Sequence, residues 1–319
     1  MIKSEVRDSY FDNIKATLII LVVIGHLLES FLNAKGFKFL YVLIYSFHMP
    51  LFIFCSGYFA SKDNQKILKR IIIPYLVFQP LYLLLNKFVL NASTSFTYTT
   101  PYWILWYLFS LAIWNIVLQF IKKVTPTLIL ITFGIGILVG FDNSIGYYAS
   151  LSRAVVFFPF FLLGYYCRNQ QEDIKKIKSS KLLVTLTVFL SLLTIVILYS
   201  SIQNINVGWF YGSYSYSALD YSWVIRTGIY AAAILLSAME IILAPKKKIL
   251  LFTVIGERSM PIFLLHGLIV KVIQKAFPFS LLSSVILQVC YLVCFTGAII
   301  LLLSSPPVAK VFKKAFPKN

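Results

Sequence analysis

Acidic residues are scarce in this chain. Asp and Glu number 11 in 319 residues against 29 Lys and Arg, and all charged residues together reach only 13%. Histidine is scarcer still, with His26, His48 and His266 the full set. So little charge, beside 59% hydrophobic residues and a mean hydropathy of +0.84, excludes an ordinary soluble domain, which could not cover that much apolar surface. The net charge of +18 would suit a polyanionic partner. The positive residues sit in short segments between apolar runs, however, which is a topology signal, and no nucleic-acid partner is expected. The four cysteines, Cys55, Cys167, Cys290 and Cys294, lie inside or at the ends of apolar runs and form no CxxC pair. They read as small packing residues, so neither a disulfide nor a metal site is expected. Internal repeats and low-complexity tracts are also lacking. No cleavable signal peptide is expected, because the first apolar run is too long and too polar at its start.

Long apolar runs are what the sequence has in abundance. About 20 residues cross a typical hydrocarbon core. By that measure spans fall at about 11–32, 39–60, 71–90, 102–121, 125–141, 150–167, 182–201, 222–244, 249–272 and 281–304. The fifth is short, and Arg153 and Pro159 interrupt the sixth. The expectation is an all-α polytopic membrane protein, a bundle of about ten transmembrane helices forming one domain over residues 1–319. Placing the N-terminus in the cytoplasm puts twenty of the 29 Lys and Arg on that side, including Lys62 to Arg70, Lys122, Lys123, Lys175 to Lys181, Lys246 to Lys248 and Lys310 to Lys318. The opposite side keeps Lys35, Lys38, Lys87, Lys271 and Lys275, with Arg153 and Arg226 at span mouths. Both termini are therefore expected to be cytoplasmic.

The first span carries polar residues at both ends. It opens with Asp12, Asn13 and Lys15 and closes with His26 and Glu29. Lys15 and His26 are eleven residues apart, which at about 100° per residue is three turns plus roughly 20°, so they share one helix face about 16 Å apart along the axis. Ionisable groups inside a span are expensive and face bundle interiors or water-filled cavities. In the ten-span topology all three histidines reach a similar depth in the outer half of the bilayer, and Arg153 and Arg226 enter from the same side, so a polar chamber is expected there. A second set near the inner face, Asp12, Asn13, Lys15, Lys69, Arg70, Glu257 and Arg258, is rich in cations and suits an anionic ligand such as a phosphate-bearing cofactor. The uncharged segment from Gly208 through Trp209 and Tyr211 to Tyr216 reads either as an interfacial aromatic belt or as a lid whose rings stack on a sugar.

These residues carry a family resemblance. Asp12-Asn13-Ile14-Lys15 with His26, followed by Phe47-His48-Met49-Pro50 through Gly57-Tyr58, resembles the acyltransferase 3 family of integral-membrane acyltransferases, with the fucose 4-O-acetylase-like branch the nearest match. Lys69-Arg70 to Pro74-Tyr75, Trp103 to Leu108, Phe157 to Tyr165, and Gly256 to His266 fit in the same order. The resemblance implies transfer of an acyl group, usually acetyl from cytoplasmic acetyl-CoA, to a cell-surface or lipid-linked glycan at the membrane, which for this chain implies a bacterial plasma membrane. Where the family often has arginine this chain has Lys15, which supplies a point charge without a bidentate fork. Many members carry an extra soluble domain after the last span, and none is expected here.

The resemblance and the residues together give a scheme. Lys15, Asp12, Lys69, Arg70 and Arg258 would bind the acetyl-CoA donor, with its arm along span 1. His26 would act as general base, since an imidazole with an ordinary pKa near 6.5 suits proton removal from a hydroxyl. Glu29, at i+3, would orient His26 or face the outer water. His48 or Arg153 would stabilise the oxyanion, and Trp209, Tyr211, Arg226 and His266 would contact the acceptor. The competing expectation is a transporter or flippase for a lipid-linked sugar, which more often shows broken helices and an internal repeat.

Overall fold

The computed structural model describes residues 8–317, apart from 94, 147 and 171–178. Among the described residues the chain is helical throughout, with no strand. Of the topology-setting cations, Lys3, Arg7, Lys175, Lys176, Lys178 and Lys318 lie outside the described residues.

The long helices are α1 (Ser9–Leu28), α2 (Lys35–Tyr58), α3 (Asn64–Phe88), α4 (Trp106–Phe120), α5 (Pro126–Leu138), α6 (Leu151–Cys167), α7 (Lys181–Ser200), α8 (Trp223–Leu243), α9 (Leu250–Glu257), α10 (Ser259–Ala276), α11 (Val285–Leu303) and α12 (Pro306–Ala315). Counting the 3₁₀ turns that extend α1, α4 and α6, nine described helices are long and apolar enough to cross a membrane. The fifth expected span, short already in sequence, is α5 with its terminal turn at Pro126–Phe141 and falls below that length. The sixth, which Arg153 and Pro159 interrupt in sequence, is a full span at Tyr148–Cys167. Its Pro159 sits inside the helix and is buried. The protein is a polytopic membrane bundle. Its surface agrees: Leu182, Phe189 and Val196 on α7 and Val293 and Leu301 on α11 are well exposed, as side chains facing lipid tails must be.

Serine and threonine set several helix starts. Ser180, Ser222, Ser284 and Thr125 each accept from a backbone N–H in the first turn and so satisfy one of the orphan donors. The ninth expected span, 249–272, is two helices broken at Arg258. Pro261 is the reason: it has no N–H to offer the carbonyl of Glu257, and its ring crowds that carbonyl, so the helix stops and restarts with the proline in the first turn. Arg258 fills the break by donating to the carbonyl of Ser304, the C-cap of α11. In α3, Lys69 and Arg70 lie in a π-helical turn, Leu68–Ile72. Pro74 follows and cannot donate to Arg70, so the backbone widens instead.

Helix α1 runs through the centre of the bundle, packed against α2, α9, α10 and α11. Asn13 fixes its lower end. Its Nδ2 donates to the carbonyls of Pro245 (2.8 Å) and Lys247 (2.9 Å), and its Oδ1 accepts from Thr253 Oγ1 (2.7 Å). Asn13 is fully buried, so each of these bonds holds the connection between α8 and α9 with about 1 kcal/mol net. The other close crossing is α2 on α6, where Gly57 and Gly164 let the two backbones touch.

Candidate active site

The shared face of α1 points into the bundle, along α2. At one end Lys15 lies over the Phe59 ring, just past α2, with its Nζ 5.6 Å from the centroid. At the other end His26 meets Tyr45 on α2. Lys15 also forms an ion pair with Asp12 at 2.6 Å, and Asp12 is buried. Between these ends Leu18, Ile19 and Val22 are packed into the core.

A cavity of about 290 Å³ opens at the His26 end. Its lining includes His26, Glu29, His48 and Arg153, with aromatic walls from Tyr41, Tyr45, Trp103, Trp106 and Tyr211. It reaches inward to Val22 and Met49, and Lys15 does not line it. About 10 Å of close-packed helix separates Val22 from Lys15, at 1.5 Å per residue.

His26 is held from three sides. Its Nδ1 lies 2.7 Å from Glu29 Oε1, and Tyr45 Oη is 3.3 Å from the same nitrogen. A carboxylate only accepts, so Nδ1 carries a proton, and in the neutral imidazole this makes Nε2 the acceptor. The pair is possible because the chain tightens from α to a 3₁₀ turn at Glu29–Phe31, which brings position i+3 over the imidazole. Gln274 of α10 donates to the His26 carbonyl at 2.9 Å. The Trp103 ring packs on the imidazole at 4.5 Å between centroids, and the His266 ring stacks on it at 5.4 Å.

The other two histidines have the same tautomer for a different reason. His48 Nδ1 donates to Ile44 O at 2.7 Å, and His266 Nδ1 donates to Phe263 O at 2.7 Å and Ile262 O at 3.0 Å. These backbone bonds leave each Nε2 as the acceptor. His266 is wholly buried, with Nε2 unpartnered, and supports His26 from behind rather than lining the cavity.

Arg153 stands in the first turn of α6, after two residues in the left-handed region, Ala149 (φ 50) and Ser150 (φ 49). Its Nε donates to Tyr211 O (3.2 Å) and Ser213 Oγ (2.9 Å), and its guanidinium lies 5.1 Å from the Trp106 ring centre. The aromatic segment that the sequence left between belt and lid folds inward. It forms a 3₁₀ turn, Val207–Tyr211, and Tyr211 Oη hydrogen-bonds Tyr41 Oη at 2.7 Å. Tyr41 in turn stacks on Tyr45 at 4.0 Å.

The remaining sequence candidates lie elsewhere. Trp209 stacks on Tyr221 and donates to Leu219 O, within the loop. Arg226 is 1% exposed, donates to Tyr221 and to the carbonyl of Tyr214, and anchors the loop from beneath, in a second small cavity. Lys69 and Arg70 lie on the π turn of α3, and Arg258 is committed to Ser304. Sequence reasoning missed Tyr41, Tyr45, Trp103 and Gln274 as site residues. Tyr41, Tyr45 and His48 are spaced i, i+4 and i+7, the same one-face pattern that drew attention to Lys15 and His26. Gln274 had no such signal, because its partner is a backbone carbonyl on another helix.

Comparison with known proteins places this geometry in a family. The family model described as an acyltransferase domain matches residues 8–304. A 59-residue stretch is 49% identical to nodulation protein NolL of Sinorhizobium fredii (strain NBRC 101917 / NGR234), covering 17% of this chain and 16% of that protein. The same length of chain is 46% identical to nodulation protein NolL of Mesorhizobium japonicum (strain LMG 29417 / CECT 9101 / MAFF 303099), with the same coverage. The chain thus spans only a sixth of the length of these curated relatives. No solved structure matches it. The family match runs from the first described turn of α1 to the end of α11 and takes in every helix that walls the His26 cavity, so the chain belongs to the acyltransferase 3 family of membrane acyltransferases.

Proposed function

We propose that this protein is an O-acetyltransferase of the bacterial plasma membrane, with residues 1–319 acting as one unit. It moves acetyl from cytoplasmic acetyl-CoA to a hydroxyl of a cell-surface or lipid-linked glycan, as the fucose 4-O-acetylase-like branch implies. The observation that carries this reading is the His26–Glu29 pair at 2.7 Å on the wall of an aromatic cavity.

In this scheme the acceptor hydroxyl lies against His26 Nε2. The base takes its proton as the oxygen attacks the thioester carbonyl. The tetrahedral intermediate collapses, the C–S bond breaks, and the thiolate leaves with the proton that His26 returns. Glu29 holds the imidazole in the required tautomer and offsets the charge it acquires. The Arg153 guanidinium is the cavity's donor for the oxyanion, while His48, whose Nδ1 proton goes to Ile44 O, presents only an acceptor nitrogen and does not serve there. Tyr41, Tyr45, Trp106 and Tyr211 supply flat faces for a sugar ring.

The donor phosphates would be met at the other end by Lys15, Lys69 and Arg70, with Asp12 fixing where Lys15 sits. Leu18, Ile19 and Val22 close the track between the two ends, so the donor arm must part α1 from its neighbours to reach His26. Binding and helix separation are then linked. Replacing Lys15 with Ala should raise KM for acetyl-CoA about tenfold, as the loss of roughly 1.4 kcal/mol would do, with kcat changed little. A kcat loss with unchanged KM would place Lys15 in the chemistry instead.

The direct test uses purified protein in lipid nanodiscs with acetyl-CoA labelled in the acetyl group. Label should pass to glycan hydroxyls as alkali-labile ester. A protein that neither binds acetyl-CoA nor releases CoA would overturn the reading and favour sugar transport. Comparing O-acetyl content of surface glycans between wild-type and deletion strains identifies the acceptor.

A further inference from the structure

Trp103 has a backbone that tryptophan rarely adopts. Its φ is +40°, in the left-handed region where a bulky side chain clashes with its own backbone. Such strain persists only where the surroundings over-determine it, and it gathers at functional sites.

The surroundings here do so. Gln79 of α3 is fully buried and ties down the approach to Trp103. Its Nε2 donates to Thr97 O (2.8 Å) and Thr100 O (3.0 Å), and its Oε1 accepts from Tyr102 N (2.9 Å). Tyr75 Oη donates to Tyr98 O at 2.7 Å, and Tyr102 Oη donates to Asn86 Oδ1 at 2.8 Å. The segment 97–102 is thus strapped to α3, and the chain turns sharply into α4 at Trp103. The indole that results is fitted against α10. A Cβ on Gly267 would lie 3.0 Å from Trp103 Cζ3 and 2.4 Å from Tyr82 Oη. Lys271, one turn further on, holds its Nζ 4.1 Å from the ring centre, a cation–π contact. The ring also lines the cavity and meets the His26 imidazole at 4.5 Å.

We propose that Trp103 is a positioning residue for the transfer reaction: a strained turn, strapped by Gln79 and fitted over Gly267 and Lys271, sets the indole that confines the His26 imidazole. The inference rests on His26 being the base. Glu29 fixes the imidazole through one nitrogen and leaves rotation and tilt free. The indole, with His266 stacked nearby, removes that freedom. Beside Tyr45 of α2, His26 is touched by α10 through Gln274 and by the turn into α4 through Trp103, and these contacts register the base against the rest of the bundle.

The test combines kinetics with imidazole spectroscopy. The chain has three histidines, so ¹⁵N-histidine spectra of the protein in nanodiscs give three imidazoles, and His26→Ala assigns one of them. Trp103→Leu should lower kcat by about 10²-fold, the size of effect a 1 Å misplacement produces, with KM for acetyl-CoA changed less than about threefold. The freed ring spends part of its time away from Glu29, where the tautomer is no longer enforced, so the separated Nδ1–H and Nε2 signals of His26 should merge toward an exchange average. Trp103→Phe should bring kcat back to within about tenfold of wild type, since a ring still fills the place. Gly267→Ala reaches the same indole from α10 and should give the same merged spectrum, so a misfolded leucine variant leaves the question answerable. An unchanged His26 spectrum together with unchanged kcat in either variant overturns the proposal. Should His26→Ala keep full activity, the base assignment fails by itself, while the spectra still report whether Trp103 confines the ring.

Discussion

Replacing His26 with Ala should lower acyl transfer by about 10²- to 10⁴-fold, the range that a positioned general base contributes. The structure makes this the most damaging single change in the cavity. His26 is the only cavity histidine whose Nδ1 proton goes to a carboxylate, Glu29 at 2.7 Å. His48 gives its proton to a backbone carbonyl, which offsets less of the charge an imidazole gains when it takes a proton. His48→Ala should therefore fall well short of His26→Ala. Glu29→Gln should fall between them, because the amide can present either an acceptor or a donor to Nδ1 and the tautomer is no longer enforced. The measurement is label transfer in nanodiscs at saturating acetyl-CoA, with each variant's folded fraction checked by size-exclusion. Full activity of His26→Ala would remove His26 from the chemistry and leave Glu29 without a role. The change should be mild for the fold, since His26 lies at a cavity wall with 12% of its side chain exposed and its backbone carbonyl, not its ring, takes the Gln274 bond.

Much of this site was legible in the sequence, for a definite physical reason. An apolar span makes every polar residue conspicuous, and helical periodicity turns spacing into direction. That logic reached Lys15, His26 and Glu29 on α1 and His48 on α2, and the structure brings His26, Glu29, His48, Arg153 and Tyr211 to one cavity. It could not separate a cation that lines a cavity from one that anchors a loop. Arg153 and Arg226 look alike as charges at span mouths, yet Arg226 is buried under the aromatic segment, and only tertiary packing decides between them. It could not see Trp103 either, whose importance lies in one backbone angle. For the fold, length and hydropathy gave the helices but not their interruptions. Pro261 splits a span that reads as continuous, whereas α5 with its terminal turn, Pro126–Phe141, matches the short run that the sequence shows at 125–141.

The second large effect concerns the fold and sits away from all polar chemistry. Substituting Gly57 with Leu should abolish accumulation of folded protein. A mere Cβ at Gly57 would stand 2.0 Å from the carbonyl oxygen of Phe161, and one at Gly164 would stand 2.0 Å from the carbonyl oxygen of Phe54. The two glycines face each other's helices across the α2–α6 crossing, so neither backbone has anywhere to retreat. In a membrane the helices gain nothing from burying apolar surface, and association depends on close van der Waals fit, which is why small residues gather at such contacts. Forcing the crossing apart by even an ångström forfeits a large share of that contact, because dispersion falls steeply with distance. The damage would also reach the cavity, whose walls include His48 and Met49 on α2 and Arg153 and Phe157 on α6. Gly36, Gly134, Gly228 and Gly297 have open space where a Cβ would go, so Ala at any of these four is the matched control and should accumulate normally. Thermal unfolding followed by fluorescence size-exclusion reads both sets. Wild-type stability in Gly57→Leu would mean that the α2–α6 contact is not close-packed, and the joint placement of His48 and Arg153 would lose its basis.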